Sequence, residues 1–214
     1  MKLAAPVVYV IDDDDISRKF FAAVASSVSL ACVCLESAAA FLQIYDHEQP
    51  GCVLLDLQMP DMSGIELQQR LNTMGAVIPL LFVSAHADIP VAVRAMREGA
   101  FDFITKPVAG DLLIARINDA ISHDAENRAA LQQRDVAIQR FQTLTRREKD
   151  VLSLLMAGRS NKAMASDLNL SQRTVELYRA RIMEKTGSRS LAQLVRLAMD
   201  LQLTPATPAG QSMN

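Results

Sequence analysis

Three separated pieces of this chain carry side chains that could act together on a phosphoryl group: the run Asp12, Asp13, Asp14 and Asp15, the single Asp56, and Lys106. Carboxylates are hard oxygen donors suited to a cation such as Mg2+ (or Mn2+). An ionised aspartate is also a competent nucleophile toward phosphorus. Carboxylates gathered in one place repel each other, so a divalent cation and a lysine are needed to hold them together. Such a site would take a phosphoryl group on one aspartate. The protein supplies position and charge neutralisation, and the donor supplies the reactive group.

The elements that must position these groups are legible as alternating strands and helices. Residues 7–11, 31–35, 51–55, 78–83 and 101–105 are apolar runs of strand type. Between them lie helical patterns at 17–29, from a Ser37 cap to about Asp46, over 64–71 behind a Ser63 cap, and at 92–97 before Gly99. A further helix starts at Asp111. Five repeats of strand then helix predict a parallel sheet with helices on both faces. In such a sheet, ligands bind outside the carboxyl ends of the strands. Asp12 and Asp13, Asp56, Ser84 and Lys106 each end a different strand and so share one edge. Asp14 and Asp15 read as charge at a helix start, Arg18 as a surface residue, and His86 as a loop residue near the site.

The stretches VIDDDD (10–15), LLDLQMPDMSG (54–64), VSAHAD (83–88) and DFITKP (102–107) resemble the receiver domain of two-component response regulators over residues 5–122. The resemblance implies a five-stranded, doubly wound, flavodoxin-like α/β domain with Asp56 as phosphoacceptor. It implies a Mg2+ site of Asp12, Asp13, Asp56 and the backbone carbonyl of Gln58, with Asp13 the more direct ligand. Ser84 and Lys106 would hold the phosphoryl group, Phe103 would be the aromatic switch residue, and the Lys106–Pro107 bond would be cis.

Net charge divides the chain. Residues 1–140 carry 11 Lys/Arg against 18 Asp/Glu, and residues 141–214 carry 11 against 6. Only the second part suits an anionic partner. No apolar stretch approaches membrane-spanning length, and no signal-peptide pattern opens the chain. Cys32, Cys34 and Cys52 lie in strand-like runs and look buried, which fits a reducing compartment better than a disulfide framework. A Cys-x-Cys pair and three scattered histidines fall short of a zinc site. Cytoplasmic location is therefore expected, with no membrane partner.

Between Gly110 and Gly158 there is neither glycine nor proline, so one long helix or two are expected. Heptad steps from Ile117 reach Ile121, Asp124, Arg128, Leu131, Asp135 and Ile138. Those charges argue against a self-sufficient coiled coil and for a helical linker over 123–141. In 142–203, Thr145 and Glu148 make a capping box for a helix to about Ala157. A short helix over 161–168 turns at Asn169, and a third, capped by Ser171, runs to about Lys185. The last covers 191–201. Two short helices joined tightly, the second rich in arginine, fit a helix-turn-helix.

This block resembles the LuxR/FixJ-type helix-turn-helix, an all-α four-helix domain. The resemblance implies double-stranded promoter DNA as partner, with 171–185 as recognition helix. Base-edge roles fall to Arg173, Glu176, Leu177, Ala180 and Arg181. Phosphate contacts fall to Lys162, Thr174, Arg179 and Lys185. Tyr178 stands where many relatives carry histidine, and would contact phosphate or pack. Leu194, Leu197, Ala198 and Leu201 exceed what a small core needs and suggest a dimer face. The tail 204–214 reads as disordered.

The expected protein is a transcriptional response regulator and not an enzyme beyond self-catalysed phosphoryl transfer to Asp56 and slow autodephosphorylation. A sensor histidine kinase would phosphorylate it, homodimerisation would follow, and RNA polymerase is a further expected partner. Two alternatives stand beside this. One is a DNA binder that ignores phosphorylation. The other is a haloacid-dehalogenase-like phosphatase using Asp13-x-Asp15-x-Ser17, which leaves Asp56 and the second half unused.

Overall fold

The computed structural model describes residues 4–85 and 88–203. The expectations for His86 and for the tail at 204–214 lie outside the described residues. The chain divides into two compact units, up to Ala129 and from Ala130 onward.

In the first unit five strands, β1 (Val7–Ile11), β2 (Ala31–Leu35), β3 (Gly51–Leu55), β4 (Leu80–Ser84) and β5 (Asp102–Thr105), alternate with helices α1 (Asp15–Ser27), α2 (Ala38–Ile44), α3 (Gly64–Thr73), α4 (Ile89–Arg97) and the first part of α5 (Gly110–Gln142), which continues past Ala129. All four strand pairings are parallel, in the order β2-β1-β3-β4-β5. This is the doubly wound arrangement expected. Strand alternation splits the core into two layers. Tyr9, Ile11, Val53, Leu55, Leu80 and Phe82 meet Phe41, Leu67, Leu71 and Ala95 on one face. Val8, Val10, Cys52, Leu54, Leu81 and Val83 meet Phe21, Ala25, Leu113, Ile117 and Ala120 on the other. A side chain such as Phe41 or Phe82, with no exposed surface, is worth about 1.5–3 kcal/mol relative to leaving it in water.

Element ends differ from the sequence reading for local chemical reasons. Helix α1 starts at Asp15 because Asp14 caps it, accepting from the N–H groups of Ile16 and Ser17. Helix α2 stops at Ile44, and the Asp46 carboxylate then takes the Glu48 N–H, a local bond that competes with helix. Strand β4 starts at Leu80 because Pro79 offers only its carbonyl, which accepts from Val53 N–H. Helix α4 begins three residues early because Pro90 sits in its first turn, where no N–H is needed. The cysteines differ too: Cys52 is buried, Cys32 half-buried and Cys34 exposed, since β2 is an edge strand.

The expected linker boundary at residue 122 falls short of the first unit's contacts. Asp124, with no exposed surface, accepts from Gly51 N–H at 2.9 Å and from Arg128 Nε at 2.8 Å. Arg128 then donates to the carbonyls of His47 at 2.6 Å and Gln49 at 2.9 Å. Gly51 accepts no replacement, because a Cβ there would lie 1.9 Å from the Val7 carbonyl oxygen. Two of the charges that count against a coiled coil, Asp124 and Arg128, therefore anchor α5 to the loop between α2 and β3.

In the second unit, α6 (Arg146–Met156), α7 (Asn161–Leu168), α8 (Gln172–Thr186) and α9 (Leu191–Asp200) follow. Thr145, Ser160, Ser171 and Ser190 cap them. Asn169 takes the left-handed conformation that turns α7 into α8. Their core holds Val151, Leu155, Ala165, Val175 and Ile182, with Leu154 and Leu168 packed against it. The expected dimer face is corrected. Leu194 and Ala198 have no exposed surface, and Leu197 and Leu201 pack on the same core. Helical periodicity turns 194, 197, 198 and 201 inward and leaves Leu191 and Met199 exposed on α9.

Replacing Asp124 with alanine strands the Arg128 guanidinium and the Gly51 N–H. It is expected to destabilise the first unit by about 3–5 kcal/mol, read as an earlier urea midpoint. An unchanged midpoint would show that the Asp124 contacts do not secure α5.

Candidate functional site

The strand register brings the predicted pocket residues together. Ile11 pairs with both Leu35 and Leu55, and Ser84 pairs with Thr105, so the carboxyl ends are level within β2, β1 and β3 and within β4 and β5; Leu55 pairs with Phe82, so the second group reaches two residues further. Asp56 N–H donates to the Ile11 carbonyl at 2.8 Å and Lys106 N–H to the Ser84 carbonyl at 2.9 Å. The Lys106–Pro107 bond is cis. Lys106 Nζ lies 2.7 Å from Asp12 Oδ2, 3.0 Å from Asp56 Oδ1 and 3.2 Å from Ser17 Oγ. The second oxygen of Asp56, Oδ2, accepts from Gln58 N–H at 2.7 Å. Asp12, Asp56 and Ser84 are buried, and Asp13 is exposed beside them. Phe103 is half-buried and stacks on Phe82, ring centroids 5.8 Å apart.

Two buried carboxylates, Asp12 and Asp56, face one lysine. Burial pushes the Asp12 carboxyl above its ordinary value, although bonds from Lys106 and Asp14 N–H oppose it. Burial alone would depress Lys106, yet its hydrogen bonds and charge pairing with Asp12 and Asp56 hold it above its ordinary value. Among the described residues no three His, Cys, Asp or Glu side chains are gathered as metal ligands as they stand. Lys106 spans Asp12 and Asp56 instead. The all-oxygen donor set and the excess negative charge nonetheless suit a hard divalent cation.

Three positioning residues escape the sequence reading. Arg18, expected on the surface, is largely covered and donates from Nη1 to the carbonyls of Asp12 at 2.8 Å and Asp13 at 2.9 Å. Its place four residues after Asp14 is the available signal, because helical side chains lean toward the N-terminus. Ser17 adds a hydroxyl beside Lys106 Nζ. Gly64 opens α3 directly against the site: a Cβ there would lie 2.4 Å from the Asp56 carbonyl oxygen and 2.8 Å from the Phe82 ring.

In the second unit, Arg173, Glu176, Leu177, Ala180 and Arg181 are all exposed. At spacings of three, four, seven and eight they form one stripe along α8. Lys162 is also exposed. Thr174 is half-buried and bonds the capping Ser171 hydroxyl at 2.8 Å. Arg179 donates to Asn161 Oδ1 and so ties α8 to α7. Tyr178 packs against the core. Lys185 departs from its expected phosphate contact: Nζ lies 2.7 Å from the buried Glu148 carboxylate. That carboxylate belongs to the capping box that also bonds Thr145.

Residues 8–118 match the family described as response regulator receiver domain. Residues 142–198 match the bacterial regulatory proteins of the luxR family. The chain is 40% identical to the transcriptional regulatory protein FixJ of Azorhizobium caulinodans, over 94% of this chain and 96% of that one. It is 35% identical to the response regulator protein TodT of Pseudomonas putida F1, over 92% and 87%. Among solved structures, the response regulator StyR is 40% identical, with a TM-score of 0.80 over 92% of this chain and 100% of that one. Full-length FixJ from B. japonicum is 38% identical, with a TM-score of 0.54 over 91% and 96%.

The Glu148–Lys185 pair has a pH signature. Burial alone would push Glu148 up, but Lys185 and the two Thr145 donors together hold it below its ordinary value. A lowered carboxylate pKa contributes stability that is present above the unfolded-state value and is lost as pH falls through the folded-state value. Lys185→Met is therefore expected to cost the second unit about 1–3 kcal/mol near neutral pH. The difference from the parent chain should shrink in urea melts below about pH 4. A difference independent of pH would contradict the pairing.

Proposed function

Because this chain belongs to the two-component response regulators that join a receiver domain to a LuxR-type DNA-binding domain, we propose that Asp56 is its phosphoacceptor. The chain is a transcriptional response regulator; the residue roles are the proposal. The observation that carries it is the single Lys106 ammonium shared between Asp12 Oδ2 and Asp56 Oδ1. It holds the two buried carboxylates side by side at the ends of their strands.

Asp56 Oδ1 attacks the phosphorus of a donor, the phosphohistidine of a sensor kinase, and the bond from phosphorus to the donor breaks. Asp12, Asp13, Asp56 and the Gln58 carbonyl would hold Mg2+ (or Mn2+), which supplies charge neutralisation for the transferring group. Lys106 then turns from a carboxylate–carboxylate bridge toward the new phosphoryl oxygens, with Ser84 as a second partner. Phe103, stacked on Phe82, follows Ser84 inward and alters the surface around α4 and β5. This is a local electrostatic event with a remote readout.

The response is a change in DNA binding. The exposed stripe of Arg173, Glu176, Leu177, Ala180 and Arg181 reads base edges, while Lys162, Thr174 and Arg179 set register on phosphates. Helix-turn-helix proteins commonly engage paired half-sites as dimers, so two phosphorylated copies act together at a promoter, where RNA polymerase is the downstream partner. The chemistry ends at self-phosphorylation and slow autodephosphorylation, and the protein works in the cytoplasm. Among the described residues no helix is long and apolar enough to cross a membrane.

Acetyl phosphate with Mg2+ should add one acid-labile phosphoryl group to the parent chain, read by intact mass. Asp56→Asn should abolish it, and Asp13→Asn should slow it strongly. Loss in the Asp13 variant with full labelling of the Asp56 variant would move the nucleophile to the first strand, as a phosphatase of the haloacid-dehalogenase type requires.

A further inference from the structure

We propose that Cys32 and Cys34 form a two-thiolate site for a soft monovalent cation of the copper(I) class. The site lies on the outer edge of the sheet and is independent of the phosphoacceptor assignment. Two residues apart on one strand, the side chains share a face, and their sulfurs lie 3.9 Å apart. The strand is β2, which has a neighbour on one side only. Cys34 is exposed and Cys32 half-buried, so the pair is reachable from solvent. A cysteine that serves only as a small apolar residue is usually buried, as Cys52 is.

The separation selects among chemistries. A cation about 2.3 Å from each sulfur would see them at about 115°, between trigonal and tetrahedral angles. Linear two-coordination would need sulfurs about 4.6 Å apart at the same bond length, wider than observed. A disulfide needs sulfurs about 2.05 Å apart, and residues two apart on a strand lie about 6.6 Å apart, near the upper limit for a bridge. Zinc requires four ligands, and among the described residues no third His, Cys, Asp or Glu joins the pair. Cys52 faces the same layer but stands two strands away, about 10 Å by strand spacing. Soft thiolate donors select copper(I), and the exposed side at Cys34 leaves a third position for a small thiol from solution.

Binding releases the thiol protons, because a coordinating thiol is deprotonated outright. One of them matters for its position. The Cys34 sulfur lies 3.7 Å from the Arg18 carbonyl oxygen, and the Arg18 guanidinium holds the Asp12 and Asp13 carbonyls. The dithiol thus sits one residue removed from the acidic pocket.

The test is anaerobic titration of the reduced full-length chain with copper(I) supplied as its glutathione complex, against a colorimetric copper(I) chelator. One equivalent should bind, with sulfur-to-copper charge-transfer absorption in the near ultraviolet. Cys34→Ser, at an exposed position, should weaken binding by at least about tenfold, or about 1.4 kcal/mol, as should Cys32→Ser. Cys52→Ser should bind like the parent. Equal binding by the Cys34 variant would overturn the assignment. So would a parent chain that binds no copper and instead loses the mass of two hydrogen atoms on exposure to oxidised glutathione, which is reduced to two thiols as the pair becomes a disulfide.

Discussion

One ammonium group between two buried carboxylates is the interaction on which the first unit's chemistry depends. Lys106 spans Asp12 and Asp56, which the level ends of β1 and β3 place side by side. Without the lysine, two like charges would face each other in a poorly solvated pocket, and one would protonate. With it, the two carboxylates share one ammonium, and their bonds and charge hold Lys106 above its ordinary value. The shared bonds leave Lys106 with competing partners. A group held by competing partners is easily redirected when a new anion forms.

Everything around the pocket limits how its parts can move. Arg18 grips the backbone of the acidic loop, Gly64 lets α3 close onto the Asp56 carbonyl, and Gln58 N–H orients the second Asp56 oxygen. At the opposite ends of the strands, Asp124 and Arg128 secure α5 through the start of β3. The second unit repeats the device: Lys185 neutralises the buried capping carboxylate of α6, and Arg179 ties α8 to α7. Charge pairs placed on rigid elements leave the exposed stripe of α8 as a preformed surface.

The sequence carries the strand order, the caps and the pocket because each is a local signal. Apolar runs end in Asp12, Asp56, Ser84 and Lys106, and Ser63, Thr145 and Ser171 each stand one residue before a helix. What it does not carry are choices of partner made in three dimensions. Asp124 and Arg128 look like solvated charges along the helix until the Gly51 N–H and the carbonyls of His47 and Gln49 are seen to meet them. Lys185 looks like a phosphate contact until Glu148 is found buried beneath it. Leu194, Leu197, Ala198 and Leu201 look surplus until α6 and α8 are in place to receive them. Arg18 was within reach, since its spacing from Asp14 aims it back over the loop.

Under the proposed function, DNA binding by the second unit follows from charge added at Asp56 in the first. The most direct measurement is the affinity of the full chain for a DNA sequence selected by the protein itself, at fixed salt, with and without acetyl phosphate and Mg2+, for the parent and for Asp56→Asn. A rise of about tenfold or more in the parent, about 1.4 kcal/mol, with no change in the variant, is the predicted result. Equal affinity of the parent under both conditions would contradict it and leave a DNA-binding protein indifferent to its own acidic pocket.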